Sequence, residues 1–302
     1  MKRATIAEIC AGVGLFAAIG AFHEEMMGMA LVAAGRSAHC SSGLAVRSVG
    51  VSAARHQRHK EITAASRMVE KDGAGFELWD TPSGRFWIPP GTANEVFYDL
   101  AEQQGDLYDY HGRGLRAGDI VLDAGASVGV YTRKALNGGA KKVVAIEPAP
   151  DNLRCLEKTF AREIQEGRVI VYPKGVWDKD DVLAMNLDPT NSAGHSFVLE
   201  RKGAHTVNLP LTTIDRMVEE LKLERVDFIK FDIEGAERKA LAGGARTLAA
   251  FRPRMAVCVY HLPDDPEALP KAARAAYPGY QYECGPCVVS QSYIVPEVFF
   301  FY

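Results

Sequence analysis

The feature that most constrains the fold is an alternation of short apolar segments and helical segments from about residue 117 onward. Periodicity predicts strands at 119–122, 142–146, 168–172, 226–233 and 255–260, and helices at 131–137, 151–164, 214–223 and 237–251. Strands separated by helices of about 10–15 residues indicate βαβ units and a mostly parallel sheet. Such sheets bind ligands outside the carboxyl ends of their strands, so the residues that follow each strand are the first candidates for a site.

Antiparallel segments accompany this alternating core. Polar and apolar residues alternate within 181–213, which predicts the strands of a β-hairpin. Residues 280–284 and 298–302 are β-rich and are predicted to form a closing antiparallel pair. The chain is therefore expected to be an α/β protein with a mostly parallel sheet and a closing antiparallel pair near its end.

The first predicted strand is followed by the loop from Asp123 to Gly129 (DAGASVG). Glycine at positions 125 and 129 lets the backbone turn sharply and lets a ligand approach without meeting a Cβ atom. The second strand ends at Glu147, whose carboxylate is placed to accept hydrogen bonds from the two hydroxyls of a ribose. Together these features predict a site for a ribose-bearing ligand.

The spacing of the glycines distinguishes two kinds of cofactor. Dinucleotide sites carry G-x-G-x-x-G before a helix whose N-terminus meets a pyrophosphate. Here the pattern is D-x-G-x-x-x-G, and an aspartate suits a positively charged ligand better than a pyrophosphate. The loop therefore favours S-adenosyl-L-methionine, and an NAD(P)-dependent oxidoreductase on a Rossmann fold is the alternative.

Three segments resemble the FkbM-type S-adenosylmethionine-dependent methyltransferases. Residues 123–132 (DAGASVGVYT) look like that family's D-x-G-A-N-x-G-x-x-T loop, and residues 145–152 (AIEPAPDN) look like its second-strand motif. Residues 230–237 (KFDIEGAE) resemble its signature K-x-D-x-E-G-x-E, and residues 213–215 (TID) resemble the T-L-D segment before it. The resemblance covers about residues 75–302. It implies a class I, Rossmann-like α/β fold with seven mostly parallel strands and a reversed C-terminal strand.

The loop and the resemblance together define a set of cofactor-binding candidates. Ser127 departs from the family pattern, which usually has Asn at this position. After the third strand, Val176 and Trp177 could border the adenine, and core packing is an equal alternative for Trp177. The candidates are Asp123, Gly125, Ala126, Ser127, Gly129, Thr132, Glu147, Pro148, Asn152, Val176 and Trp177.

Candidate catalytic residues follow the next two strands. Side-chain alternation places Lys230, Asp232 and Glu234 on one side of the strand, and His261 follows the neighbouring strand. Asp232, Glu234 and His261 are candidates to orient or deprotonate an acceptor, since a hydroxyl acceptor needs a base. Lys230 is the fourth candidate, with a buried ion pair to Glu234 or Glu237 as the alternative. A helix-dipole role for Glu237 and a loop role for His261 also stay open.

Two further hypotheses concern the same cleft. Asp232, Glu234 and His261 could hold a divalent metal, but no ligand spacing in the sequence requires one, so no metal is assigned. Three tyrosines before the glycine loop could form a substrate lid, with core packing favoured for the first of them. These are Tyr98, Tyr108 and Tyr110.

These motifs predict O-methylation of a sugar, glycan or natural-product hydroxyl with S-adenosyl-L-methionine as the methyl donor. N-methylation by the same fold and a non-catalytic scaffold are rival hypotheses. The chain carries 35 Lys and Arg against 38 Asp and Glu, a net charge of −3. Nucleic-acid binding needs a clustered positive face, so a small-molecule or glycan acceptor fits better than a nucleic acid. The sequence does not fix the oligomeric state.

The first 70 residues differ in character from the rest. The uncharged run from Ile9 to Phe22 is shorter than the roughly 20 residues that span a bilayer, and a second apolar run covers 26–35. A packed helix, a membrane-associated helix and a cleaved signal are the open readings. Residues 37–67 are basic and are predicted to be a linker or loose helix.

The expected domain organisation follows from this contrast. Residues 1–70 form an N-terminal segment, and residues 71–302 form a methyltransferase domain capped at 71–116 by a hairpin, predicted at 75–81 and 85–89, and a helix, predicted at 92–104. Because the cofactor is made in the cytosol, the expected location is cytoplasmic. Weak association of residues 9–35 with the cytoplasmic face of a membrane is also considered.

The six cysteines are scattered, and a chain of this length buries enough core not to need disulfide bonds. Cys284-Gly-Pro-Cys287 resembles a thioredoxin-type redox motif, which requires a helix after it. The residues that follow are β-rich instead. A Gly-Pro turn that happens to be flanked by cysteines is therefore the favoured interpretation.

Overall fold

The computed structural model describes residues 26–37, 39–105, 107–200, 202–290 and 293–302. The apolar run Ile9–Phe22 lies outside these residues. Within the described part of the chain, no helix is long and apolar enough to cross a membrane.

A seven-stranded sheet forms the centre of the molecule. In spatial order its strands are β12 (Tyr282–Cys284), β15 (Val298–Phe301), β11 (Arg254–Cys258), β10 (Phe228–Phe231), β4 (Ile120–Ala124), β5 (Lys142–Ile146) and β6 (Val169–Tyr172). Strands β4, β5, β6, β10 and β11 are parallel, and β15 is antiparallel to both β11 and β12. The predicted fold class is confirmed: this is an α/β protein with seven mostly parallel strands and a reversed C-terminal strand.

Helices cover both faces of this sheet. On one face lie α4 (Val130–Asn137), α5 (Pro150–Thr159) and α6 (Ala161–Gln165); on the other lie α7 (Ile214–Glu220), α8 (Glu237–Gly243), α9 (Ala245–Phe251) and α10 (Asp265–Ala276). Successive strand residues point to opposite faces, so Val121 packs with the first group and Leu122 with the second. Burial on both sides explains why the strands are continuously apolar.

Two predicted helices are each divided in two. The helix predicted over 151–164 breaks at Phe160, whose ring is fully buried. The helix predicted over 237–251 breaks at Gly244. Just before that break, a Cβ atom on Gly243 would lie 1.9 Å from the carbonyl oxygen of Trp177. The paired glycines therefore allow the end of α8 to pack directly on another backbone segment.

A second sheet lies beside the carboxyl ends of the central strands. It contains β7 (Gly175–Val176), β8 (Asp181–Leu187) and β9 (His205–Thr212), with β8 and β9 antiparallel. The hairpin predicted within 181–213 is thus confirmed. Residues between β8 and β9 form a loop that reaches the site described below.

A third sheet precedes the central one. Strands β2 (Glu77–Thr81) and β3 (Gly84–Ile88) form the predicted hairpin, and α3 (Ala93–Gln104) follows it. The structure adds β1 (Arg67–Lys71), paired antiparallel with β2, which the sequence did not indicate. All five residues of β1 are exposed, so no apolar alternation marks it.

The basic segment predicted as a linker or loose helix contains two helices, α1 (Ser42–Ser48) and α2 (Val51–Ala65). Helix α2 buries few residues, one of which is Ile62, so it lacks a strong apolar stripe. It packs beside α3 through a cluster that includes Ile62 and Phe97. Arg55 adds a charged link, because its guanidinium lies 2.8 Å from Glu297 and 2.9 Å from Glu102.

The N-terminal residues also contact a C-terminal hairpin formed by β13 (Cys287–Ser290) and β14 (Tyr293–Pro296). Leu31, in a helical segment over 26–33, is buried against this hairpin. A disulfide joins Cys40 to Cys287 across 247 positions of sequence. Neither the length of the chain nor the spacing of its cysteines predicted this bond. Residues 285 and 286 connect β12 to β13, which agrees with the predicted Gly-Pro connection rather than a redox helix.

Candidate active site

A cavity of about 500 Å³ opens at the carboxyl ends of β4, β5, β10 and β11. This is the position expected for a ligand site in a parallel sheet. Helix α3 covers one side of the cavity, and the loop after β8 covers the other. The volume is in the range of about 300–1,000 Å³ that holds small molecules and cofactors.

Two glycines shape the loop after β4. Gly125 has φ of +81°, and a Cβ atom there would lie 1.8 Å from the carbonyl oxygen of Asp232. Gly129 has φ of +94°, and a Cβ atom there would lie 2.2 Å from the ring of Phe160. Only glycine fits both the left-handed backbone and the close approach. Between them, Ser127 also has a positive φ of +48°, a conformation in which Asn is enriched.

Glu147 closes the other side of this loop. Its carboxylate accepts hydrogen bonds from the backbone amides of Ser127 at 2.9 Å and Ala149 at 2.8 Å. Burial raises the pKa of Glu147 to about 7, although these two amides act in the opposite direction. The side chain thus links the ends of β4 and β5 and lies on the cavity wall.

Asp123 and Lys230 form a buried ion pair between neighbouring strands. The parallel register of β4 and β10 pairs these two residues directly. The Lys230 ammonium lies 3.2 Å from one Asp123 oxygen and donates to the carbonyl oxygen of Gly125 at 2.8 Å. The other Asp123 oxygen accepts from the hydroxyl of Thr132 at 2.7 Å. Lys230 is therefore ion-paired as considered above, but with Asp123 rather than with Glu234 or Glu237.

The cavity wall contains part of the cofactor set and all of the catalytic set. The cofactor-binding candidates that line the cavity are Gly125, Ala126, Ser127, Glu147, Pro148 and Val176. The catalytic candidates that line it are Lys230, Asp232, Glu234 and His261. The remaining cofactor candidates do not line the cavity: Asp123, Gly129, Thr132, Asn152 and Trp177. Thr132 supports Asp123 by the hydrogen bond given above, and Asn152 donates to the carbonyl oxygen of Ser192, in the loop after β8, at 2.8 Å.

His261 stands at the centre of three carboxylates. Its Nδ1 lies 2.9 Å from Glu237, and its Nε2 lies 3.4 Å from Asp232 and 3.6 Å from Glu234. Glu237 also accepts a hydrogen bond from the backbone amide of Ile233, which ties the start of α8 to the strand end. The imidazole is 3% exposed, and its Nε2 makes no hydrogen bond.

The electrostatics of this group follow from burial and proximity. Burial alone would lower the pKa of His261, but Glu237, with Glu234 and Asp232, raises it well above the ordinary value. Burial acts to raise the pKa of Asp232, and Lys230 and His261 outweigh it, so that pKa is lowered. The cleft therefore favours a positive group among these carboxylates.

Helix α3 supplies wall residues that the sequence did not single out, except for Tyr98. Glu95, Tyr98, Asp99 and Glu102 face the cavity. Their spacing of i, i+3, i+4 and i+7 is one face of a helix, and the intervening residues of α3 are buried in the core. This polar stripe opposite an apolar stripe was a signal that could have identified them.

Other wall residues had no comparable signal. Tyr108 reaches the cavity and donates to Asp232 at 2.7 Å, whereas Tyr110 packs against Phe300. Strand β8 contributes Met185, and the loop after it contributes Asn191, Ser192, Ala193, His195, Phe197 and Leu199. No spacing rule predicts which residues of a long loop fold over a cleft.

A comparison with known families identifies the family of this chain. The family model described as the Methyltransferase FkbM domain matches residues 123–283, just over half of the chain. The chain belongs to the FkbM methyltransferase family. The match begins at Asp123 and includes every motif on which the resemblance rests. No curated protein matches the sequence.

This chain is similar in fold to several solved structures, including these three. Methyltransferase FkbM from Methylobacillus flagellatus KT has a TM-score of 0.48 and 20% identity over 71% of this chain and 56% of that one. This chain thus spans just over half the length of that protein. SMU.1697c from Streptococcus mutans, solved in complex with SAH, has a TM-score of 0.39 and 14% identity, over 66% of this chain and 95% of that one. Precorrin-6y C5,15-methyltransferase from Geobacter metallireducens GS-15 has a TM-score of 0.36 and 13% sequence identity, over 66% of this chain and 84% of that one.

Proposed function

We propose that this FkbM-family chain transfers a methyl group from S-adenosyl-L-methionine to a hydroxyl of a sugar, glycan or natural product. One observation carries the proposal. A single cavity has a glycine loop with a ribose-type carboxylate, Glu147, at one end and a group of acid–base side chains around His261 at the other. A cofactor end and an acceptor end in one cleft are what an in-line transfer requires.

The residues at the cofactor end fit the ligand. The Oγ atoms of Ser127 and Ser192 are buried on the cavity wall and have no hydrogen-bond partner, so a polar ligand would satisfy them. Glu147 is placed to receive the ribose hydroxyls, and Val176 borders the same space. When bound, S-adenosyl-L-methionine supplies a methyl group on a positively charged sulfur.

Asp123 acts through its neighbours. Unlike Glu147, it does not line the cavity: the side chain is fully buried, with one oxygen beside Lys230 and the other bound to Thr132. It therefore fixes the glycine loop rather than touching the cofactor. Lys230 has the same positioning role, because its ammonium holds the carbonyl oxygen of Gly125.

At the acceptor end, Asp232, Glu234 and His261 orient the acceptor hydroxyl. A carboxylate of Asp232 or Glu234 takes its proton as the new O–CH3 bond forms and the S–CH3 bond breaks, with S-adenosylhomocysteine as the leaving group, because the raised pKa of His261 keeps that imidazole protonated. Tyr108 fixes Asp232 by its 2.7 Å hydrogen bond. Helix α3 and the loop after β8 exclude water from the reacting atoms. The reaction is assigned to the cytoplasm, where the cofactor is made.

N-methylation is the second candidate, and one observation favours it. Asp99 and Glu102 add carboxyl groups to the acceptor end of the cavity, which suits an acceptor that carries an amine. Burial raises the pKa of Asp99 well above its ordinary value and the pKa of Glu102 to about 7. Glu102 can therefore exchange a proton with an amine near neutral pH.

Calorimetry with S-adenosylhomocysteine and, separately, with NAD tests the cofactor assignment. The first ligand is expected to bind, and Glu147→Gln is expected to weaken it about 10- to 100-fold, since hydrogen bonds to a charged group contribute about 1.5–3 kcal/mol. Glu157→Gln, the same change on an exposed residue, is the control. Binding of NAD alone would contradict the proposal.

Transfer of a 13C-labelled methyl group into extracts of the source cell identifies the acceptor. The chemical shift of the labelled methyl distinguishes an oxygen-bound product from a nitrogen-bound one. An oxygen-bound methyl supports the first candidate, and a nitrogen-bound methyl supports the second.

A further inference from the structure

The three carboxylates around His261 are arranged asymmetrically about its two ring nitrogens. Glu237 approaches Nδ1 from behind at 2.9 Å and is fully buried. Asp232 and Glu234 approach Nε2 from the side that faces the cavity, at 3.4 and 3.6 Å. The imidazole thus has one occupied nitrogen and one nitrogen directed at two carboxylate oxygens.

The fold fixes this arrangement. Asp232 follows β10, and His261 follows β11, which lies beside it in the same parallel register. Glu234 has a positive φ of +53°, so the chain turns there and brings its side chain back to the strand end. Tyr108 holds the second oxygen of Asp232 at 2.7 Å, which leaves the first oxygen to face His261.

Glu237 has the position of an outer-sphere partner in a metal site. Histidine ligands usually donate the N–H of one ring nitrogen to a carboxylate, which fixes the ring and leaves the other nitrogen for a metal ion. Here Nδ1 has that carboxylate, and Nε2 is buried without a hydrogen bond. An unsatisfied buried nitrogen is costly unless a ligand satisfies it.

The spacing of the three atoms also suits a metal ion. One ligand atom each from Asp232, Glu234 and His261 lies within 4.8 Å of the others. Ligands at about 2.0–2.2 Å from a common cation lie about 3.0–3.6 Å apart, which matches the two distances to Nε2. One imidazole nitrogen with two carboxylate oxygens is a ligand set accepted by first-row divalent ions such as Mn²⁺.

We propose that Asp232, Glu234 and His261 bind a divalent cation with the ligand preference of Mn²⁺, oriented by Glu237 and Tyr108. No metal was expected from the sequence, because the ligands are separated by up to 29 positions and share no motif spacing. The remaining coordination positions face the cavity, where the cation would take the acceptor hydroxyl as a ligand and ease the loss of its proton to the Glu234 carboxylate oxygen that does not bind the cation. This role rests on the proposed methyl transfer, whereas binding of the cation does not.

Titration of the full chain with MnCl2 after treatment with a chelator, with free Mn²⁺ measured by electron paramagnetic resonance, tests the proposal. We expect one Mn²⁺ per chain. His261→Ala, Asp232→Asn and Glu234→Gln are each expected to weaken binding more than about tenfold, and Glu237→Gln about 10- to 100-fold. Circular dichroism checks that each variant is folded, and Asp232→Asn tests the site if the buried His261 cannot be replaced.

Glu95→Gln is the matched control, because Glu95 lines the same cavity but lies outside the cluster. Its Mn²⁺ affinity is expected to stay within about threefold of the parent. Absence of Mn²⁺ binding, or equal losses in Glu95→Gln and Asp232→Asn, would overturn the proposal and leave His261 as a protonated partner of the carboxylates. Calorimetry with S-adenosylhomocysteine on the same sample separates this result from failure of the proposed methyl transfer.

Discussion

At the scale of single residues, Gly125 has the most restricted position in the loop after β4. It combines a positive φ with an approach to the backbone of β10 that leaves no room for a side chain. The same contact brings the cofactor loop and the strand end at Asp232 together. A methyl group here therefore disturbs both ends of the proposed site.

Gly125→Ala is expected to lower the free energy of unfolding by more than 1 kcal/mol, because strain in φ alone costs about 1–2 kcal/mol and the clash adds to it. S-adenosylhomocysteine affinity should fall with it. Chemical denaturation and calorimetry measure the two effects. Ser127→Gly is the control at a neighbouring positive φ, and it should leave stability equal or higher, since glycine relieves the strain there. An unaltered Gly125→Ala protein would contradict the close approach.

Glu147 gives the site a pH dependence. Burial raises its pKa to about 7 in the free protein. Ribose hydroxyls donate to the carboxylate, so ligand binding favours the ionised form and lowers this pKa. Affinity for S-adenosylhomocysteine should therefore rise with pH up to about 7 and then level off, and binding near pH 6 should release a proton.

Calorimetry in two buffers of different ionisation enthalpy measures this proton release directly. In Glu147→Gln, the release and the rise in affinity should both disappear. In the free protein, the raised pKa of Glu147 makes folding stability fall, rather than rise, as pH increases. Stability contributed by neutral Glu147 is complete below the unfolded value near 4.5 and is lost as pH rises toward 7. An affinity independent of pH from 5 to 8 would contradict the role of Glu147.

At the scale of secondary-structure elements, the pairing of β4 with β10 depends on a buried charge pair. Lys230 is 3% exposed and Asp123 is fully buried, and they face each other across the two strands. Removal of one partner of such a pair leaves an uncompensated charge in the core. The pair also holds the glycine loop, because Lys230 binds the carbonyl oxygen of Gly125.

Lys230→Met is expected to lower the free energy of unfolding by about 3–5 kcal/mol, measured by chemical denaturation. The double variant Lys230→Met with Asp123→Asn should recover part of this loss, because it removes the unpaired charge. A Lys230→Met protein with unchanged stability but no turnover would instead assign Lys230 to the chemistry itself.

Some helix breaks and one strand could not be predicted from the sequence. The strands of the central sheet were predicted to within a few residues, since each is an apolar run bounded by helical periodicity. Strand β1 was missed because its residues are all exposed and it exists only through pairing with β2. The breaks at Phe160 and Gly244 were missed because side-chain burial and close helix packing, rather than local propensity, cause them.

At the scale of the whole molecule, a disulfide and apolar packing connect the two ends of the described chain. Cys40 is bonded to Cys287, and Leu31 is buried against the C-terminal hairpin. Arg55 connects the same N-terminal region to Glu297 and to Glu102 on the cavity wall. The N-terminal helices thus support the helix that covers the proposed acceptor end.

Loss of the disulfide is expected to weaken this attachment. Cys40→Ser should lower the free energy of unfolding of the oxidised protein by about 2–4 kcal/mol. With a reducing agent present, parent and variant should converge, because the parent then also lacks the bond. Peptide mapping without reduction should recover Cys40 and Cys287 in one linked fragment.

Cys284→Ser is the control for this comparison. Cys284 is a free, half-buried cysteine whose Sγ lies 4.0 Å from that of Cys287, so its replacement leaves the disulfide intact. Its stability should match the parent in both conditions. Equal stability of Cys40→Ser and the oxidised parent would contradict a stabilising bond.

The sequence by itself determined the parallel α/β core, the reversed final strand and the FkbM motifs, because periodicity and motif spacing are properties of short stretches of chain. Only the tertiary structure decided which groups meet. It paired Lys230 with Asp123, joined Cys40 to Cys287 and gathered Asp232, Glu234 and His261 around one point. Such contacts depend on strand order, register and burial. These arise from packing of the whole chain, so no short stretch of sequence predicts them.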